Sequence, residues 1–164
     1  MGYLLDANIF IEAKNRYYSF DLAPRFWEWL VTANAQGTVL SAAKVKEELL
    51  AGDDDLADWV KRQGSSFFLP VDAATVESMR LLTEWAQQQA EEGRYTRAAA
   101  QEFAAGDIYV VGTAHAHGHT VVTHERPDPN RSRRRIKIPE ACNVFGVPWM
   151  NTFEMLTREQ VRLG

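Results

Sequence analysis

Cysteine is almost missing from this chain: Cys142 is the single one among 164 residues, which excludes an intrachain disulfide and a zinc cluster built from thiolates. That usage suits a reducing compartment, and a cytoplasmic location is the expectation. Long apolar runs are missing too. The longest, Ile108 to Val111, holds four residues, far below the ~18 of a membrane helix, so no membrane partner is expected. The opening Met1-Gly2-Tyr3 reaches an acid by Asp6 without a basic or apolar leader region, so no secretory signal is expected either. The 10 glycines and 6 prolines are scattered, and neither a repeat nor a linker-like tract marks a boundary. With 46% hydrophobic and 24% charged residues, the composition fits one soluble domain over residues 1–164, large enough to bury its own core.

An excess of basic charge is also lacking. Net charge is −4, which argues against a nucleic-acid binder until its distribution is considered. Arg126, Arg131, Arg133, Arg134, Arg135 and Lys137 face one acid, Asp128, within a window of twelve residues that carries +5, leaving −9 for the rest. The charge is polarised.

Short β-rich runs alternate with helical stripes. Tyr3–Leu5 reads as a strand followed by a helix carrying Ile9, Phe10 and Ala13, and Pro24 opens a helix to about Gln36. Thr38–Leu40 reads as a strand, with Ser41 as N-cap of a helix to about Ala51. A helix over Asp53–Gln63, a strand over Phe67–Leu69 and a long helix over Ala73–Glu91 follow, then a short one over Thr96–Ala104. Asp107 introduces a helical stripe that ends near Gly118; Thr120–Thr123 is β-branched, residues 125–138 read as a loop, and Val147–Trp149 as an edge strand. Strands alternating with helices predict a doubly wound parallel α/β sheet of about four to five strands with helices on both faces. Ligands of such sheets bind beyond the carboxyl ends of the strands.

Acids fall at that rim. Asp6 follows the first strand, Glu125 comes two residues after the fourth, and Asp107 stands where the preceding helix begins. Glu47 and Glu48 compete for a fourth place; at ~100° per residue Glu48 lies at the edge of the stripe made by Ala42, Val45 and Leu49, and Glu47 points nearly opposite. Converging carboxylates repel unless cations sit between them. Hard oxygen donors favour Mg²⁺ or Mn²⁺, which serve phosphodiester hydrolysis. Taken singly, Asp6 and Asp107 are also good helix caps, Glu48 an ordinary solvated residue and Glu125 an ordinary loop charge.

Tyr-Leu-Leu-Asp-Ala-Asn at 3–8, Val-Lys-Glu-Glu-Leu at 45–49, Gly-Asp-Ile-Tyr-Val-Val-Gly-Thr-Ala at 106–114 and Val-Val-Thr-His-Glu at 121–125 together resemble the ordered motifs of PIN domains, over about residues 3–150. The chain is similar in particular to the small prokaryotic PIN proteins that include the VapC toxins. The resemblance implies a PIN-like fold and a Mg²⁺- or Mn²⁺-dependent endoribonuclease, with RNA as substrate, an antitoxin protein as partner and room for a homodimer. It assigns metal-binding or water-activating roles to Asp6, Glu48, Asp107 and Glu125, and supporting roles to Asn8, Ser41 and Thr123. Two features depart from the pattern. Glu125 stands where Asp is commoner, and neither the basic loop nor Ile138–Cys142 is shared, which marks a divergent branch.

His115, His117 and His119 invite a zinc reading, but the first two lie ~200° apart on a helix and Gly118 separates the third. His124, beside Glu125, is the histidine nearest the acids. Arg126, Arg131, Arg133, Arg134, Arg135 and Lys137 are expected to bind the nucleic-acid backbone, a solvated turn being the duller reading. Phe26, Trp27 and Trp29 read as helix packing. Two rivals remain: a doubly wound phosphatase, disfavoured because Asn8 stands where such enzymes place a second acid, and a PIN-like binding module without activity.

Overall fold

The structure, a computed structural model, describes residues 1–164 throughout. Five strands, β1 (Tyr3–Leu5), β2 (Val39–Ala42), β3 (Phe68–Leu69), β4 (Thr120–Val122) and β5 (Trp149–Met150), form one sheet in the order β3-β2-β1-β4-β5, and every pair is parallel. The central strands are short and apolar because both faces are covered, so they show no polar alternation. Nine α-helices flank them: α1 (Ala7–Glu12), α2 (Pro24–Ala35), α3 (Ala43–Leu50), α4 (Asp55–Lys61), α5 (Ala73–Glu91), α6 (Arg97–Ala105), α7 (Ile108–His117), α8 (Ile138–Phe145) and α9 (Thr152–Arg158). A π-helical turn, Ala13–Tyr17, extends α1. No helix is long and apolar enough to cross a membrane.

Several helix starts are written in their caps. Asp54, Asp72, Thr96 and Asn151 accept from the N–H groups of Ala57, Thr75, Ala99 and Glu154 at 2.8–3.0 Å. Gly118 (φ 72°) ends α7 in the left-handed conformation and turns the chain into β4. The core is one continuous cluster and includes an aromatic group in which Phe10 and Trp59 both meet Phe67, at centroid distances of 6.1 and 5.5 Å. Trp29, half-buried, packs against this core, as a helix-packing role requires. Helix α7 lies close on α5 because residue 112 is glycine: a Cβ there would stand 2.7 Å from Met79 Cγ. That contact fixes the helix whose first turn follows Asp107.

Two expectations need correction, and one segment gains a helix. Ser41 does not cap α3. It belongs to β2, the N-cap position is Ala42, and the Ser41 hydroxyl donates instead to the Leu5 carbonyl at 2.6 Å across the ladder. Asp6 and Asp107 occupy N-cap positions, yet neither makes a side-chain capping bond. The loop after β4 ends at α8, whose first residue is Ile138; Ile138, Ala141 and Cys142 form its buried stripe, and Pro139 fits its first turn.

Candidate active site

In the strand order β3-β2-β1-β4-β5, the chain winds outward in one direction from β1 and in the other from β4, so the switch point lies between these two neighbours. Leu5 pairs with Val122, and the Asp6 N–H continues the ladder to the Val122 carbonyl at 3.0 Å. The next residues, Asp6 and Thr123, therefore stand side by side at the carboxyl edge. Thr123 Oγ1 donates to Asp6 Oδ2 at 3.2 Å and accepts the Glu125 N–H at 3.1 Å. One buried hydroxyl thus fixes Asp6 and the backbone that carries Glu125. Ser41, also buried, holds the last residue of β1 from the opposite side.

Asp6 is 4% exposed. Burial, then the charges of Asp107 and Glu125, push its carboxyl up to about 8. Asp107 is pushed up to about 6 by burial and by Glu125, against the lowering effect of Arg135, and the Glu48 charge adds to the rise. Glu48 itself is raised by partial desolvation, with Lys44 opposing and Glu47 adding. Of the two adjacent glutamates it is Glu48 whose charge reaches Asp107, while Glu47 turns to Lys44 at 3.6 Å. The four acids predicted from sequence therefore influence one another through Asp107.

Arg135 comes between two of them. Its Nη2 lies 3.4 Å from Asp107 Oδ2 and 3.3 Å from Glu125 Oε2, so those oxygens can be no farther apart than the two distances together. Arg135, one of the residues expected to meet phosphate, stands here as the counter-ion of these two acids. Arg126, Arg131, Arg133 and Arg134 are exposed and Lys137 is half-buried. The loop is anchored by its backbone: Arg94 donates to the carbonyls of Arg131 and Ser132, and the Arg133 carbonyl accepts the Thr96 N–H at 2.8 Å.

An open cleft of about 570 Å³ adjoins this rim, lined mostly by polar and charged side chains, among them Asn8, Glu12, His124, Glu125, Arg126 and Lys137. Asn8 is exposed on α1 and faces this cleft. His124 is tied at both ring nitrogens, Nδ1 to Glu12 and Nε2 to Thr152 Oγ1 at 2.8 Å. Glu12 and Thr152 are the partners sequence reasoning missed; nothing in their local patterns connects residues so far apart. The other histidines go separate ways: His115 to Ser78, His117 to Asp72 and His119 to the Gly2 N–H. Burial and then the Glu125 charge raise the Cys142 thiol to about 12, which removes it as a nucleophile.

The donor set is hard and anionic, suited to Mg²⁺ or Mn²⁺ rather than a soft metal. No three acidic or histidine side chains are placed to hold one ion. Mg²⁺ is commonly held through one or two carboxylates, with water and substrate phosphate completing its shell, and an Asp107–Glu125 pair beside Asp6 fits that pattern. A guanidinium already standing between two of the oxygens marks the position as one that attracts a cation.

A five-stranded parallel α/β sheet in this order, flanked by helices, is a PIN-like fold. The chain belongs to the family described as Domain of unknown function (DUF4411), whose model matches residues 3–163. The crystal structure of VapBC2 from Rickettsia felis bound to a DNA fragment from its promoter contains a chain of similar fold. Its TM-score is 0.55 at 14% identity, over 92% of this chain and 98% of that one. No curated protein matches.

Proposed function

We propose that the chain is a Mg²⁺- or Mn²⁺-dependent endoribonuclease and the toxin of a toxin–antitoxin pair, acting in the cytoplasm. The observation that carries this reading is the mutual electrostatic influence of Asp6, Asp107 and Glu125 at the switch point, where neither aspartate is used as a helix cap. A buried acid cluster that leaves its helix ends uncapped is costly to the fold. A cation-dependent function accounts for that cost.

Asp107 and Glu125 would hold the divalent ion, with Asp6 beside the pair and Glu48 at the outer edge. When bound, the ion supplies electrophilic stabilisation of phosphoryl oxygens and activates water for attack on phosphorus. Thr123 orients Asp6, and Ser41 fixes the strand end that carries it. Arg135 pairs with Asp107 and Glu125, and a divalent ion held by those acids would release it to meet phosphate. Arg126, Arg131, Arg133, Arg134 and Lys137 bind backbone phosphates on either side of the scissile one. The similar fold found in a VapBC2 complex supports an antitoxin protein as partner.

Arg135 also favours a second reading, an RNA-binding module in which the guanidinium replaces the metal permanently. The test compares a mixed RNA pool with a DNA pool of the same sequences, in Mg²⁺, Mn²⁺ and EDTA. Fragmentation of RNA alone, abolished by EDTA, supports the ribonuclease; RNA bound intact in all three conditions supports the module. Growth arrest on expression in the native host, relieved by an antitoxin, supports the toxin assignment. Harmless expression of a protein that cleaves RNA in vitro replaces it with a housekeeping nuclease.

A further inference from the structure

Two aromatic side chains stand exposed where the acid rim ends. Tyr17 is 47% and Phe153 46% exposed, although their neighbours Tyr18 and Phe26 stack together at 4.7 Å against the core. Tyr17 and Phe153 meet edge to face at 5.5 Å. His124 completes the group, parallel to Phe153 within 6° at 6.1 Å and perpendicular to Tyr17 at 6.0 Å. Its ring is locked by Glu12 and Thr152, so the corner is rigid.

The backbone departs from regular helix to build this corner. Helix α1 widens into the π turn Ala13–Tyr17, closed by the Tyr18 N–H on the Ala13 carbonyl at 2.7 Å, and that turn delivers Tyr17 to the ring of His124. Such turns are rare and concentrate at functional sites. Phe153 follows Thr152, the residue that anchors His124, at the start of α9. His124 in turn precedes Glu125, and the exposed Arg126 shares with both the hollows on either side of the rim.

We infer that Tyr17, Phe153 and His124 form a stacking platform for one base of single-stranded RNA, next to the nucleotide whose phosphate meets the acids. This rests on the ribonuclease reading of the rim and adds to it a base subsite. The occupant follows from the juxtaposition: exposed aromatic rings, joined through His124 to hollows that it shares with the cationic Arg126, suit a unit that is both flat and anionic, as a nucleotide is. Stacking accepts every base, so the platform confers affinity and strand register with little sequence preference.

The test uses the full chain and a short oligoribonucleotide carrying 2-aminopurine at successive positions, together with the same oligonucleotide made abasic at each. In the wild type one position is expected to be quenched. Phe153→Ala and Tyr17→Ala should remove that quenching and weaken binding about 5- to 150-fold, the range for one base–aromatic stack. KM should rise with kcat preserved, as for uniform binding. Phe153→Leu, which keeps the apolar bulk without the aromatic face, should behave like Phe153→Ala. The abasic change at the quenched position should weaken wild type equally and add little to the variants. Unchanged quenching and affinity in both alanine variants overturn the platform and leave the ribonuclease intact. The same unchanged RNA binding with lost neutralisation by an antitoxin overturns it in favour of a protein-binding corner. Equal losses on intact and abasic RNA also overturn it, because the aromatic residues then act through the fold. Position-specific quenching without any RNA cleavage upholds base binding and removes the ribonuclease reading instead.

Discussion

The Thr123 hydroxyl donates to Asp6 Oδ2 at 3.2 Å across the switch point of the sheet, and both residues are buried. The bond joins the ends of the two central strands at the point where the acids begin. Thr123→Val keeps the shape and removes the donor. It should lower RNA cleavage about 10- to 100-fold, the usual cost of losing the partner of a metal-site carboxylate. Thr123→Ser should recover most of that loss, as read from kcat/KM on one oligoribonucleotide.

Asp107→Asn tests the acid whose charge couples the others. Because Asp107 makes no capping bond, the amide gives up nothing at the start of α7, and thermal unfolding should show a fold at least as stable as wild type. Cleavage should fall more than about 100-fold, beyond the loss expected for a supporting residue.

The raised carboxyls set a pH dependence for the metal-free protein. Asp6 is raised to about 8 and Asp107 to about 6 in the folded chain, whereas both ionise near 4 when unfolded. Between those values the folded state holds protons that the unfolded state has lost, so stability falls as pH rises from about 4 to 8. Melting temperatures measured in EDTA across this range should decline, and added Mg²⁺ or Mn²⁺ should restore them most at the alkaline end, where protons no longer compete. At 100 times its Kd a cation adds about 2.7 kcal/mol.

The arginines separate into two roles. Arg131, Arg133 and Arg134 are exposed and free to meet phosphate, so the triple alanine variant should flatten the salt dependence of RNA binding by ~0.7 per lost contact on single strands. Arg135→Ala should act differently. Removing the counter-ion of Asp107 and Glu125 should destabilise the metal-free protein and tighten Mn²⁺ binding, measurable by calorimetry.

Sequence order made the sheet legible because the strands are short β-rich runs between helices, and β1 ends directly before a polar residue at the rim. Asp6 follows from that position alone, whereas Thr123 comes from the resemblance to PIN domains. Glu48 follows from helical phase, and its charge adds to the rise at Asp107. Ser41 was misplaced by one element, since a hydroxyl before a helix reads as a cap whether or not a neighbouring strand offers a better acceptor. The pairing of Arg135 with the acids, and of His124 with Glu12 and Thr152, joins distant segments; charge runs and periodicity carry no record of such contacts. Helices α8 and α9 are brief, and α8 lies directly after the basic loop whose composition masks its start.

The most direct measurement is cleavage of a mixed RNA pool by the purified wild type and by Asp6→Asn, each in Mg²⁺, in Mn²⁺ and in EDTA. The acidic switch point as a cation-dependent hydrolytic site predicts fragments only for the wild type with a divalent ion, and none for Asp6→Asn under any condition. Equal cleavage by Asp6→Asn, or wild-type cleavage that persists in EDTA, would contradict it.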